Sequence, residues 1–482
     1  MTFTNGLSPT AIALNRFGLG ANPNDAPPSD PKAWLKAQFA DFTAMPQGFA
    51  ALPDAGAMMK AYQGDRRDAK QQAMASPPPP PQPGAPPPRY TPEQRAIIQD
   101  FGEDVRSLYR QAVQARAQSA LETRAPFVER LVHFWSNHFC VSADNPRIMT
   151  FVGAFERDAI RPHVLGNFED MLLAADRHPA MLIYLNQVLS VGPNSAQANR
   201  AKMRDPQKHI GLNENLAREI MELHTLGVRS GYSQADVTEF ARAMTGWTVG
   251  GTGTGSRIDD GNPGDFRFRP QLHEPGTRVI LGKSYAQGGE AQARAAIVDF
   301  AHAPQTATHI ATKLARHFAG DNPPQPMIDR LAAAFTSGQG DLPTLYKALI
   351  DSPEAWNPQP LKFKTPWEWT VSALRGLGRD QVGQNQIASI QNQLGQPVWK
   401  PGSPAGWDDT AASWAAPDAL LRRVEFVERL VAPVGDQIDA RQLGPKLIPA
   451  SFSPATADQI GRAESPGSAL ALLLVSPDFL RR

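Results

Sequence analysis

The segment over residues 213–226 holds the highest density of side chains that could do chemistry. It reads NENLAREIMELHTL and includes Arg218, Glu219 and His224. A guanidinium, a carboxylate and an imidazole held together can bind an anion, transfer a proton or ligate a metal ion. Polar groups buried beside an apolar core must also be fully paired, or they destabilise the fold. We therefore predict a buried polar cluster on this segment, with either a catalytic or a structural role.

A second element has to complete any site on this segment. In an α-helix with about 100° per residue, Glu219 and His224 lie roughly 140° apart and cannot face one ligand together. His133 and His138, in the stretch PFVERLVHFWSNHF, and His273, in the turn HEPG, could meet them. If these groups form one site, at least two of the histidines should lie within about 8 Å of the Glu219 carboxylate. The candidate catalytic residues are therefore Glu219, His224, Arg218, His133, His138 and His273.

A divalent metal ion is one cofactor that such a cluster could hold. Its candidate ligands are His133, His138, Glu219 and His224. The two histidines at 133 and 138 are not at the i, i+4 spacing of HExxH zinc sites, which speaks against this reading. In the alternative, the histidines are buried and hydrogen-bonded, and His224 interacts with the negative end of its own helix near Gly227. The sequence identifies no other cofactor.

Several common site types are absent from the sequence. It contains no GxSxG nucleophile elbow, no CxxC pair, no dinucleotide fingerprint and no GxxxxGK[ST] phosphate loop. The single cysteine, Cys140, follows an apolar helical stretch and is expected to be a buried, inert thiol. A group of tryptophans could line a cleft for a sugar or a peptide, or could fill the core. These are Trp247, Trp367, Trp369, Trp399, Trp407 and Trp414.

Charge and hydropathy limit the partners. Lys plus Arg number 48 and Asp plus Glu number 47, which gives a net charge of +1. This balance gives no reason to expect nucleic acid as a partner. No run approaches the ~18 apolar residues of a membrane-spanning helix, so we expect no membrane insertion. The N-terminus shows no basic region followed by an apolar run, so no secretory leader is visible and a cytoplasmic location is expected.

The periodicity of apolar residues predicts a mainly α fold with one large multi-helix globular domain. Residues 1–44 are predicted to form N-terminal helices that pack on the core, and residues 91–482 to form the main helical domain. One small β-hairpin is expected at about 264–284, where FRFR and RVILG flank the HEPG turn. Clustered prolines deny residues 45–90 regular backbone hydrogen bonds, so this stretch is predicted to be a disordered Pro-rich insertion.

Motifs along nearly the whole chain resemble the bacterial protein family DUF1800. The central one is GLNENLAREIMELHTLG over 211–227, followed by GYSQADV over 231–237 and TGW over 245–247. Shorter matches lie in order on both sides of it. They are NRFG over 15–18, FWSNHF over 134–139, residues 161–168, PAML over 179–182, KTPWE over 364–368, LGQP over 394–397, GW over 406–407 and SPDF over 476–479.

The resemblance implies a protein of unknown function without established catalytic residues. The family usually has His-Asp in the hairpin turn, whereas this chain has His273 and Glu274, so the acid is kept with a reach one methylene longer. Family members are often exported, which the visible N-terminus does not match. Their genes commonly lie beside those of the family DUF1501, which implies a DUF1501-type protein as a partner.

Three classes of function follow from the sequence. The first is an enzyme that uses the Glu/His/Arg cluster, which is the interpretation we favour. The second is a binding or assembly protein that acts with a DUF1501-type partner. The third is a scaffold in which the polar cluster is structural.

Overall fold

Proline residues and side-chain caps set the starts of most helices. The computed structural model describes residues 6–60, 92–205, 207, 211–251, 262–383 and 385–482. Ser8 and Asp30 each accept a backbone N–H at a helix start that proline follows, a combination that satisfies free N–H groups and pre-sets the backbone. Ser233 and Asp236 form a capping box at the start of the helix over Gln234–Met244. The mainly α class predicted from the sequence is confirmed.

The first part of the chain, up to the first strand, consists of helices and short helical turns. In chain order the α-helices are α1 (Pro9–Ile12), α2 (Pro31–Asp41), α3 (Gln47–Ala50), α4 (Pro92–Glu122), α5 (Pro126–His138), α6 (Pro146–Met149), α7 (Val152–Phe155), α8 (Phe168–Arg177), α9 (Pro179–Tyr184), α10 (Ala196–Arg204), α11 (Asn215–Glu219) and α12 (Gln234–Met244).

Four short strands separate these helices from the second part of the chain. The strands are β1 (Trp247–Val249), β2 (Phe266–Phe268), β3 (Arg278–Ile280) and β4 (Lys283–Tyr285). The helices that follow are α13 (Glu290–Ala301), α14 (Pro304–Ala319), α15 (Gln325–Ser337), α16 (Leu342–Asp351), α17 (Pro366–Gly376), α18 (Gln386–Gln393), α19 (Ala411–Trp414), α20 (Pro417–Val431), α21 (Ala440–Leu447), α22 (Pro454–Gly461), α23 (Pro466–Leu474) and α24 (Pro477–Leu480).

The strands form two antiparallel pairs, and their pairing differs from the single hairpin expected between FRFR and RVILG. β2 pairs with β1, and β3 pairs with β4. A 3-10 turn over Pro270–Leu272 leads the chain away from β2, so β3 does not return to it. Leu281 and Gly282 both have positive φ, at 49° and 75°, and this two-residue turn folds β4 directly back onto β3.

The segment over 213–226 contains two kinds of helical turn. α11 ends at Glu219, and a π-helical turn over Ile220–His224 continues it. The chain then leaves the helix through Gly227, which has a φ of 93°. The wider π turn changes the angle between side chains, so the 100° rule does not hold beyond Glu219. Its apolar side chains, including Ile220, are buried in the core.

The N-terminal segment packs into the same continuous apolar core as the later helices. The ring of Phe17 lies 5.6 Å from that of Phe127 and 5.4 Å from that of Phe318. The first part of the predicted insertion contains α3, and Phe49 and Met58 are buried there, whereas the division of the chain at residues 45 and 90 stays a prediction. The proline-rich part of that predicted insertion lies outside the described residues. Within the described ranges, no helix combines the length and the apolar character needed to cross a membrane.

Candidate ligand cavity

The C-terminal halves of α5 and α14, the start of α17 and the loop over 396–409 enclose a cavity of about 390 Å³. Its walls are partly aromatic, formed by Phe134, Trp367, Trp399 and Trp407. Two other tryptophans considered for a cleft, Trp247 and Trp369, are buried in the core instead. The cavity is therefore a concave space with a partly aromatic wall, of the size that small-molecule sites use.

Helical spacing brings charged groups of two helices to this cavity. On α14, Lys313, Arg316 and His317 stand at i, i+3 and i+4, so they share one face. On α5, His133 and His138 both line the cavity although they are five positions apart. The polar lining is thus supplied by helices that are far apart in the chain and are packed side by side in the fold.

A glycine lets the loop of the cavity wall lie directly on α5. Gly406 has a φ of 80°, and a Cβ there would come within 2.4 Å of the carbonyl oxygen of Asn137. The side-chain amide of Asn137 makes two hydrogen bonds to the backbone of Trp407, the residue after Gly406. It accepts the backbone N–H of Trp407 at 2.7 Å and donates to the Trp407 carbonyl at 2.9 Å.

Arg116 of α4 forms part of the cavity between two tryptophans. Its guanidinium carbon lies 5.0 Å from the ring centroid of Trp367 and 5.1 Å from that of Trp399, a double cation–π contact. Its Nε lies 3.4 Å from Glu156 Oε2, so its charge is balanced on the side away from the cavity.

Two of the three carboxylates that line the cavity are paired with basic residues. Glu368 pairs with Arg130 and with Arg482, whose Nη2 lies 2.8 Å away. Burial alone would raise the pKa of Glu368, but the charges of Arg482 and Arg130 outweigh it and hold that pKa well below the usual range. Asp409 Oδ2 lies 2.7 Å from His317 Nδ1, and its other oxygen lies 3.1 Å from Lys362 Nζ. Glu368 and Asp409 are therefore neutralised by the protein. Asp408, the third carboxylate of the lining, accepts hydrogen bonds from Thr410 and Ser413 and forms no ion pair with a described residue.

Two cations of the cavity are placed differently, since neither Lys313 nor Arg316 forms an ion pair with any residue the structure describes. Lys313 Nζ lies 2.9 Å from Nδ1 of His138, while Arg316 is exposed. An ammonium can only donate, so Nδ1 of His138 accepts, and Nε2 carries the hydrogen that points to the His224 carbonyl oxygen at 3.1 Å. Burial, followed by the charge of Lys313, lowers the pKa of His138 well below its usual value, so this imidazole is neutral.

Burial also lowers the pKa of Lys313 to about 8. The charge of Asp409 opposes this shift, and the charge of Arg316 adds to it. An amine that titrates close to neutral pH exists in both protonation states under ordinary conditions.

The predicted polar cluster is only partly assembled around this cavity. His133 accepts the indole N–H of Trp367 at 3.2 Å on the cavity wall, and His138 lies beside it. His224 is buried behind His138, with 6.3 Å between the ring centroids, and its Nδ1 lies 2.9 Å from Asp176 Oδ1. The negative partner of His224 is therefore a carboxylate of α8, which sequence reasoning missed, besides the helix end it considered.

Glu219, Arg218 and His273 do not line the cavity. Arg218 donates to Gln234 at 2.7 Å near the surface. Burial raises the pKa of Glu219, and the charge of His224 partly offsets the increase. His224 is thus a neighbour of Glu219, and the expectation of a second histidine within about 8 Å stays a prediction. His273 Nδ1 lies 2.9 Å from the carbonyl oxygen of Thr245, beside the strands.

The metal hypothesis has no assembled ligand set in the part of the chain that the structure describes. No three His, Cys, Asp or Glu side chains there are grouped so as to hold a metal ion. His138 uses one ring nitrogen for Lys313 and the other for a backbone carbonyl, so neither is available as a ligand.

The cavity residues that sequence reasoning missed are Lys313, Arg316, His317, Asp409 and Arg116. A usable signal was present on α14, where basic residues at 309, 313, 316 and 317 form one stripe on an otherwise amphipathic helix. No comparable signal marks Asp409 or Arg116, because their positions depend on how distant segments pack.

The comparisons with known proteins give a family and no activity. A family model described as "Protein of unknown function (DUF1800)" matches residues 12–481. No curated protein and no solved structure matches the chain.

Proposed function

The chain belongs to the DUF1800 family, which carries no assigned activity, and we propose from the geometry of its cavity that it binds a small organic anion with an apolar part. The observation that carries this proposal is the ammonium of Lys313, which lies on the wall of an aromatic cavity without a carboxylate partner.

The charge distribution supports an anion. A buried cation without a counter-ion is unfavourable, so binding an anion there relieves a cost that the empty site bears. Lys313 and Arg316 are one helical turn apart, which suits two oxygens of one carboxylate or phosphate group. Two of the three acids of the cavity, Glu368 and Asp409, are paired with basic residues, which reduces their repulsion of an anion. The third, Asp408, accepts hydrogen bonds from the hydroxyl groups of Thr410 and Ser413.

The walls support an apolar or aromatic remainder of the ligand. The rings of Trp367, Trp399 and Trp407 offer flat surfaces, and the volume of about 390 Å³ accommodates a molecule the size of a substituted benzene ring. We therefore expect affinity to require both the charge and the apolar part.

Of the residues predicted to be catalytic, His133 and His138 belong to this proposal. His138 orients Lys313, and the Asp176–His224 pair supports the helix turn behind it. We assign a structural role to Glu219, Arg218 and His273, which lie outside the cavity lining. The residues proposed to contact the ligand thus lie on the cavity face of α14, and no longer on the segment over 213–226.

Calorimetric titration with benzoate tests the proposal, with benzyl alcohol as a neutral ligand of similar shape. Benzoate should bind and benzyl alcohol should bind more weakly. Lys313→Met and Arg316→Met should each weaken benzoate by about tenfold, or ~1.4 kcal/mol. Lys283→Met, at an exposed lysine of β4, is the matched control and should have no effect. The proposal is refuted if neither compound binds, or if Lys313→Met leaves the affinity for benzoate unchanged.

The other functional interpretations stay predictions of the sequence. They are assembly with a DUF1501-type partner, a cytoplasmic location and the absence of nucleic-acid binding. Co-purification with a co-expressed DUF1501 protein tests the first of them independently of the cavity.

A further inference from the structure

Lys313 is placed as a reactive amine would be. It lies on the wall of a cavity large enough for a ligand, and it is partly buried, with its nitrogen fixed 2.9 Å from His138 Nδ1. The acceptor is an uncharged imidazole, so the amine can lose its proton without leaving a carboxylate unpaired. Lysines that form covalent bonds with carbonyl substrates are found in such desolvated surroundings, next to another cationic group.

We propose that Lys313 is a nucleophile that forms an imine with the carbonyl group of a small oxo-acid, whose acidic group is held by Arg316. The inference rests on the proposed function for the location of the ligand and adds the class of substrate, an aldehyde or ketone that also carries a carboxylate. Arg316 lies one turn further along the same face of α14. Lys313 can therefore contact the carbonyl carbon of the ligand while Arg316 contacts its carboxylate.

The proposed reaction is a condensation that balances without a further reactant. The unprotonated Nζ of Lys313 attacks the carbonyl carbon, and the carbon–oxygen π bond opens to give a carbinolamine. The carbonyl oxygen then leaves as water with the two hydrogens of the amine, and a carbon–nitrogen double bond forms. The products are one imine and one water, and reversal by water returns the free lysine.

The protonation of the amine is consistent with this role. Burial lowers the pKa of Lys313 from 10.5 to about 8, so about a tenth of the amine is unprotonated at pH 7, against well under about a thousandth of an ordinary lysine. The other nucleophile in the lining is less suitable, because burial raises the pKa of the Cys140 thiol to about 12. Aromatic walls would also limit access of bulk water to the imine.

Reductive trapping of the full-length protein tests this proposal. The protein is incubated with para-carboxybenzaldehyde and sodium cyanoborohydride, and the modified lysine is identified by peptide mass mapping. Lys313 should be alkylated at least about tenfold faster than the exposed Lys283 at neutral pH, because a greater fraction of its amine is unprotonated. Benzoate, which has the charge but no aldehyde or ketone group, should slow the labelling of Lys313 and leave that of Lys283 unchanged.

The outcomes separate this inference from the proposed function. If benzoate binds in calorimetry but Lys313 is labelled no faster than Lys283, the imine proposal is overturned and anion binding stands. If benzoate does not bind and Lys313 is not preferentially labelled, both fail. Because the mapping uses the wild-type protein, its result does not depend on whether any Lys313 variant folds.

Discussion

The ammonium nitrogen of Lys313 lies 2.9 Å from Nδ1 of His138, a contact between α14 and α5 across 175 positions of the chain. The same imidazole is fixed on its other side by the carbonyl oxygen of His224. One neutral ring thus joins the cavity lysine to the turn that ends the segment over 213–226, and it connects the cavity to the most recognisable motif of the sequence.

His138→Phe should destabilise the protein because it keeps a ring of similar size but removes both hydrogen bonds. Lys313 and the His224 carbonyl would then be left without these partners. We expect a loss of about 1–3 kcal/mol in the free energy of unfolding by urea. His302→Phe is the control, since His302 is exposed and pairs with Glu169 at the surface, and it should cost at most about 0.5 kcal/mol. Equal losses in the two variants would contradict the role given to His138.

The lowered pKa of Lys313 should make the free energy of unfolding depend on pH. Its pKa is lowered from 10.5 in the unfolded chain to about 8 in the folded protein, so the folded state binds fewer protons between these values. The destabilisation is fully present below about pH 8 and is relieved as the pH rises towards 10.5. The facing groups on neighbouring elements are His138, Asp409 and Cys140, and those on α14 are His309 and Arg316.

Lys313→Met should therefore be more stable than the wild type at neutral pH, and the gain should shrink as the pH rises through this interval. Urea unfolding at several pH values measures this gain in unfolding free energy, with Lys283→Met as the control. A gain that stays constant with pH would show that the pKa of Lys313 is not lowered.

The Glu129–Arg161 pair provides a test of the packing beneath the cavity. Both side chains are buried, and the guanidinium makes two bonds to the carboxylate, at 2.8 and 2.7 Å. Arg161→Met leaves a buried carboxylate unpaired and should cost on the order of 3 kcal/mol. The double variant with Glu129→Gln should cost less than the sum of the two single variants, as measured by chemical denaturation. Additive losses would mean that the two groups do not interact in solution.

Gly406→Ala should distort the wall of the cavity. The positive φ disfavours alanine, and its Cβ would collide with the carbonyl oxygen of Asn137. We expect a loss of at least about 1 kcal/mol in unfolding free energy and a weaker affinity for benzoate, because Trp407 would move away from α5. Gly461→Ala, at a helical glycine with no atom near a Cβ, is the matched control. Unaltered binding in Gly406→Ala would show that this loop does not shape the site.

Much of the fold could be predicted because its signals are local. The capping pair of Ser233 and Asp236 lies within four residues, and the apolar periodicity of α5 is read in one window. The pairing of β2 with β1 could not be read in this way. It depends on the 3-10 turn after β2 and on the tight turn at Leu281 and Gly282. Together these turns prevent the pairing of β2 with β3 that the simpler hairpin would require.

The site was harder to predict than the fold. His133 and His138 were selected from the sequence and do line the cavity, but Lys313 joins them from a helix more than a hundred positions away. The density of polar groups over 213–226 led to the prediction of a buried cluster there, yet Arg218 donates to Gln234 near the surface. Polar density marks where charges occur in the chain, whereas the cavity arises from the packing of α5, α14 and α17.

The pKa of Lys313, measured with and without benzoate, tests the central claim most directly. Carbon-13 labelling of lysine Cε allows each amine to be titrated by nuclear magnetic resonance, and Lys313→Met assigns the signal. We expect a pKa near 8 in the free protein and a clear rise when benzoate is saturating, because an anion bound beside the amine stabilises its charged form. A pKa at the ordinary value of 10.5, or one that benzoate leaves unchanged, would contradict the assignment of Lys313 as the anion-binding group of this cavity.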